Sequence, residues 1–203
     1  VWPNFMRCIE IMGGNIIEIP LLHLQKENIW KLNLEEIKKN IKDAKAIYIN
    51  TPNNPTGWVM NRQEQIEIIE LCRKEKIWII SDEVYERIIY DRKVAPSFLD
   101  ISKDDDLLIV VNSFSKSWAM TGWRLGWMTV PEGLINIFEK LNEFNVASPS
   151  SPAQHAGIVA INDGEKFIEK MIHDLKISRS IALKNLNNFS RVIFPYSDAA
   201  FYA

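Results

Sequence analysis

Residues 107–116 read Leu-Leu-Ile-Val-Val-Asn-Ser-Phe-Ser-Lys, an unbroken apolar run from Leu107 to Val111 that ends in a polar cluster closing on Lys116. So short a run, bounded by polar residues, predicts a buried strand. Two more segments are built the same way. Ala46–Asn50 leads into Thr51-Pro52-Asn53-Asn54-Pro55-Thr56-Gly57, and Ile77–Ile80 leads into Ser81-Asp82-Glu83-Val84-Tyr85. Between them, Gln63–Lys74 predicts a helix capped by Asn61, with Glu64 in reach of the cap and Ile66, Ile69 and Cys72 on one face. Strand, helix, strand, loop, strand is the rhythm of an α/β fold, a mostly parallel sheet sandwiched by helices. Ligands of such sheets collect at the carboxyl ends of the strands. All three polar clusters stand there.

Working outward, Ile16–Ile19 predicts a short strand and Leu34–Asp43 a helix capped by Asn33. Leu125–Val130 predicts a further strand, Leu134–Phe144 and Ala153–Asn162 helices, and Glu165–Phe189 one long amphipathic helix with His173 on its outer face. Arg191–Phe194 and Ala200–Tyr202 would begin another sheet. The expected division is therefore 1–164, the central part of a large domain, and 165–203, a connecting helix with the start of a smaller α+β domain. No helix or strand is expected at Val1–Phe5, and the chain stops inside a strand-like run, so a fragment of a longer protein is expected.

Composition narrows the function classes. Lys and Arg number 24 against 26 Asp and Glu, for a net charge of −2 with no basic block. Nucleic-acid or membrane-surface binding thus has no electrostatic support. No apolar run approaches the ~18 residues of a membrane helix. Cys8 and Cys72 are far apart, without metal-type spacing, and read as core thiols in a reducing compartment, which makes a cytoplasmic location the expectation. His23, His155 and His173 form no triad or metal pattern, and Trp58, Trp118, Trp123 and Trp127 read as packing.

The chemistry centres on Lys116. A lysine after a buried strand can form an imine with an aldehyde, and nearby hydroxyls and a guanidinium suit a phosphate dianion. Ser113, Ser115 and Arg124 are the expected phosphate cup, with Gly122 and Gly126 allowing close backbone approach. An aldehyde and a phosphate on one small molecule describe pyridoxal phosphate. Asp82, at a buried strand end, needs a cationic or donor partner, and a protonated pyridine nitrogen would be one. Asn54 and Tyr85 are donors for the ring's phenolate oxygen, and Trp2 could stack on the ring. Each residue alone has an ordinary reading as well: a solvated lysine, a turn-capping Asp, a turn Asn, a half-buried Tyr, a surface Arg, a core Trp.

Taken together, Trp2-Pro3-Asn4, Asn53-Asn54-Pro55-Thr56-Gly57, Ser81-Asp82-Glu83-Val84-Tyr85, and Ser113-Phe114-Ser115-Lys116 followed by Met120-Thr121-Gly122-Trp123-Arg124-Leu125-Gly126 resemble the class I/II aminotransferases of pyridoxal-phosphate fold type I. The segment Trp118–Arg124 looks most like the aspartate-aminotransferase-like prokaryotic branch. The resemblance implies Lys116 as the Schiff-base lysine and proton shuttle, Asp82 on the pyridinium nitrogen, and Tyr85 and Asn54 on the phenolate oxygen. It further implies Ser113, Ser115 and Arg124 on the phosphate, Trp2 against the ring, and α-amino acid and 2-oxo acid substrates bound by a homodimer. Family members are considerably longer. Their Gly-rich phosphate-binding turn and the arginine that grips the substrate carboxylate fall outside these 203 residues. Another enzyme of the same fold (a carbon–sulfur lyase or a synthase), a regulatory domain that binds the cofactor, and an inactive fragment all keep the same residues.

Overall fold

The computed structural model describes residues 2–189, 191 and 193–202. In chain order the elements are α1 (Pro3–Ile11), β1 (Leu22–Leu24), β2 (Ile29–Lys31), α2 (Leu34–Asn40), β3 (Ala46–Asn50), α3 (Arg62–Glu75) and β4 (Trp78–Asp82). There follow β5 (Leu108–Ser113), α4 (Phe114–Ser117), β6 (Gly126–Thr129), α5 (Ile135–Val146), α6 (Ser151–Asp163) and α7 (Glu165–Leu186). The main sheet runs β3-β4-β5-β6; the first three strands are parallel, and β6 returns antiparallel to β5. β1 and β2 form a separate antiparallel pair.

Local chemistry sets these boundaries. Asn33 accepts from the Glu36 amide to start α2. Asn61 and Glu64 close a reciprocal capping box at α3, both bonds 2.9 Å, worth about 1 kcal/mol. α3 buries Ile68, Ile69 and Cys72 against Ile77 and Ile79 on one face of the sheet, with Phe98, Leu108 and Val110 completing the core. Burial of Cys72 pushes its thiol up to about 12. Cover is uneven between the two faces: Ile79 and Ser81 are buried, whereas Trp78, Ile80 and Asp82 are half-buried. The half-covered face carries the site.

Several expectations need correction. Ile16–Ile19 forms no strand; it precedes Pro20, which cannot donate to a ladder, and Ile19 and Leu21 instead pack onto the core from an irregular segment. The opening residues, expected to lack structure, form α1, with Pro3 at its first position, where a missing N–H costs nothing. Cys8, on α1, is exposed rather than a core thiol, and Trp123 is 51% exposed rather than packed. The expected strand Arg191–Phe194 spans Val192, outside the described residues. Ala200–Tyr202 is no strand either; Ala199 makes a single bridge to Ile89 and Ala200 turns to φ 61°.

Gly57 fixes the C-terminal segment in place. Its φ is +66°, and a Cβ there would lie 1.8 Å from Ser197 Oγ and 2.5 Å from the Ala199 carbonyl. The Gly57 carbonyl accepts from the Asp198 and Ala199 amides, and the Ala200 amide donates to Ile88. Phe201 and Tyr202 are thereby delivered to the carboxyl end of the sheet.

Candidate functional site

In the parallel register Asn50 lies opposite Asp82, and Asp82 opposite Val111, so the ends of β3, β4 and β5 are adjacent. Side chains alternate between faces along each strand. Tyr48, Asn50, Ile80, Asp82, Val111 and Ser113 therefore share the half-covered face.

Asp82 closes β4. Its Oδ2 accepts from the Tyr48 hydroxyl at 2.6 Å and its Oδ1 from the Val84 amide at 3.3 Å. Burial raises its pKa, and the Tyr48 hydrogen bond opposes that shift. Asn50 holds the next loop, accepting from the Asn54 amide at 2.7 Å and donating to the Asp82 carbonyl at 3.1 Å. Tyr85 is buried, and its hydroxyl lies 2.5 Å from that of Tyr202. Burial first, then Tyr202, raises the Tyr85 phenol; Asn54 acts on the same hydroxyl in the opposite sense.

Lys116 lies in α4, directly after β5. Its Nζ stands 5.8 Å from the Tyr85 ring centroid and 5.9 Å from that of Phe201. Ser113 caps this turn, accepting from the Ser115 amide at 3.1 Å and donating to the Leu125 carbonyl. Thr121 ties the loops together: its hydroxyl donates to the Ser115 carbonyl, and its own carbonyl accepts from Arg124 at 3.0 Å. Arg124 is exposed at φ 51°. Gly126 permits the approach of β6, since a Cβ there would meet the Asn112 carbonyl at 2.7 Å; a Cβ at Gly122 would meet no protein atom within 4 Å among the described residues.

The fold thus gathers Asn54, Asp82 and Tyr85 around one strand-end region, with Lys116 over Tyr85, and it ties Ser113, Ser115 and Arg124 into one loop pair. Trp2 is not joined to them by any described contact; it is 57% exposed at the start of α1. Phe5, one turn on, reaches the site instead, its ring stacked on Tyr48 at 3.6 Å and 20°. Tyr48, Phe5, Phe201 and Tyr202 were not singled out from the sequence. Period-two spacing from Asp82's partner strand could have flagged Tyr48. The other three depend on tertiary placement.

Asn112 and Glu86 support the rear of the site. The Asn112 amide donates to Glu86 Oε2 at 2.8 Å, and burial, helped by Glu83, pushes the Glu86 carboxyl up to about 7. Concavities of 410 and 360 Å3 lie elsewhere, one beside Cys72 and Arg73 and one along α7 at Lys170 and Asp174. Among the described residues, no group of three His, Cys, Asp or Glu is placed to hold a metal ion, and no helix is long and apolar enough to cross a membrane.

The donor set suits a phosphorylated pyridine aldehyde. Asp82 is a half-buried carboxylate whose oxygens, among the described residues, accept from a phenol and an amide, leaving lone pairs for a cationic N–H. Arg124's guanidinium, exposed, donates to the Thr121 carbonyl among the described residues and keeps further donors free of it. Lys116 is ringed by aromatic faces. One acid for a ring nitrogen, one amine for an aldehyde, and one guanidinium with the Ser115 hydroxyl and the Ser113 hydroxyl, once released from its 3.4 Å bond to the Leu125 carbonyl, for a phosphate fit that group.

Comparison with known proteins agrees. The sequence profile described as "Aminotransferase class I and II" matches residues 1–203. A curated protein of Aquifex aeolicus (strain VF5), "Probable aspartate/prephenate aminotransferase", is 36% identical, covering 99% of this chain and 51% of its own length. The aspartate aminotransferase of Pyrococcus abyssi is 34% identical over 91% of this chain and 47% of its own. Among solved structures, the aspartate aminotransferase of Thermotoga maritima superposes with a TM-score of 0.85 at 28% identity, over 98% of this chain and 52% of that one. The chain spans about half the length of the curated relatives it matches.

Proposed function

Because the chain belongs to the class I and II aminotransferase family, we propose that it binds pyridoxal phosphate across the ends of β3, β4 and β5 and moves an amino group between an α-amino acid and a 2-oxo acid. The observation that carries this reading is the placement of Asp82, a half-buried carboxylate at a strand end with lone pairs to spare, on the face shared with Ser113 and the turn bearing Lys116.

Bound pyridoxal phosphate supplies an electron sink that stabilises negative charge at the amino acid's Cα. The residues of this chain do the rest. Asp82 holds a proton on the ring nitrogen. Tyr85 and Asn54 donate to the phenolate oxygen. Ser113, Ser115 and Arg124 would bind the phosphate. Lys116 would hold the aldehyde carbon through its Nζ, and the same amine, when free, would move the proton at the substrate's Cα. Tyr202, through its hydroxyl bond to Tyr85, steadies that donor.

The names of the relatives make aspartate the first substrate to try. The reading extends to a homodimer, supported by the exposed apolar side chains Ile137, Leu141 and Phe144 on α5, and to a cytoplasmic location, supported by the unpaired, exposed Cys8. Residues 165–203 form the connector and the start of a second domain, with Gly164 at the joint before α7. The test is transfer of labelled nitrogen from aspartate to a panel of 2-oxo acids in the presence of the cofactor. Labelled product amino acid, lost in Lys116→Ala, is expected. Pyruvate and ammonia released from a cystathionine-type substrate, with no transfer from aspartate, would point to a carbon–sulfur lyase and overturn the transferase reading.

A further inference from the structure

We propose that Tyr48 is a positioning residue for the cofactor's ring nitrogen, acting through Asp82 and itself held by Phe5. The inference rests on the role given to Asp82 above. Tyr48 lies opposite Ile80, two residues before Asn50, which lies opposite Asp82. Period two puts Tyr48 and Asp82 on one face, on a diagonal that a tyrosine side chain can span. The phenol does span it, donating to Oδ2 at 2.6 Å.

Phe5, on α1, stacks on the same ring at 3.6 Å and 20°. Burial and the Asp82 charge both raise the Tyr48 phenol, which keeps it a neutral donor at any working pH. With the Val84 amide on Oδ1, the carboxylate is held by one donor on each oxygen. That arrangement fixes its orientation and favours the charged form against the cost of burial.

The test uses Tyr48→Phe, which keeps the ring against Phe5 and removes only the hydroxyl. Two probes are titrated into the cofactor-free protein by fluorescence: pyridoxal phosphate, and its carbocyclic analogue with a C–H in place of the ring nitrogen. Pyridoxal phosphate should bind about tenfold more weakly to the variant, the scale of one hydrogen bond to a charged group. The analogue should bind parent and variant alike. In an Asp82→Ala background, adding Tyr48→Phe should change neither affinity, which also controls for a general folding defect. Equal loss for both probes, no loss for either, or a further loss in the Asp82→Ala background overturns the proposal. If the parent chain binds no pyridoxal phosphate, the reading of the whole site falls, and this inference with it.

Discussion

Replacing Glu86 by Gln should change how stability depends on pH. Glu86 is half-buried behind β5, accepts from Asn112 at 2.8 Å, and titrates at about 7 in the fold against an ordinary 4.5. Between those values the folded chain keeps a proton that the unfolded chain has released. The unfolded state then binds fewer protons, so stability falls as pH rises through this window. The contribution is fully present below about pH 4.5 and gone above about pH 7. At about 1.4 kcal/mol per pH unit the ceiling is roughly 3 kcal/mol, and the partial hydration of the side chain brings the expected loss to ~2 kcal/mol. Gln keeps a carbonyl for Asn112 but cannot ionise. Urea unfolding of parent and variant at intervals from about pH 5 to about pH 8 reads the difference directly. Asp82, Glu83 and Asp198 are also raised by burial and slope the same way, but they are common to both proteins and cancel. The variant should gain on the parent as pH rises. Parallel curves would show that Glu86 is not held protonated by its surroundings.

Other perturbations follow from single contacts. Gly57→Ala combines a φ of +66° with a Cβ that would overlap Ser197, so it should cost ~2 kcal/mol or more and release residues 197–202 to proteolysis; an unchanged digestion pattern would contradict the docking role. Arg73→Met leaves buried Asp106 without the guanidinium that donates to both its oxygens at 2.6 and 2.7 Å. A loss of ~2–3 kcal/mol at neutral pH should result. Because Arg73 holds the Asp106 pKa down, this difference should shrink as pH drops below about 4, and a pH-independent difference would refute the ion-pair account. Tyr202→Phe should weaken retention of pyridoxal phosphate less than Lys116→Ala does, since it removes only the bond that steadies Tyr85; the two dialysis rates compare them.

Much of the site was legible because its residues follow strand ends, and strands β3, β4 and β5 announce themselves as short apolar runs. The registers Asn50–Asp82 and Asp82–Val111 then bring the following loops together with no further information. What escaped was set by tertiary contacts. Ile16–Ile19 has strand composition but no partner, and Pro20 removes a donor. α1 begins at a Trp-Pro-Asn opening where no helix or strand was expected. Phe5 reaches Tyr48 from α1, an element remote in sequence from β3, and Tyr202 reaches Tyr85 after a backbone that the Gly57 carbonyl holds through the Asp198 and Ala199 amides. Trp2 shows the converse: its position in the motif is clear, yet its side chain stands exposed.

The most direct test of the account is where the cofactor attaches. The chain is loaded with pyridoxal phosphate, reduced with borohydride and digested, and the modified lysine is identified by mass spectrometry. A single adduct on Lys116, absent from Lys116→Ala, is predicted. An adduct spread over surface lysines, or one that persists in the variant, would contradict the assignment of Lys116 and the site built around it.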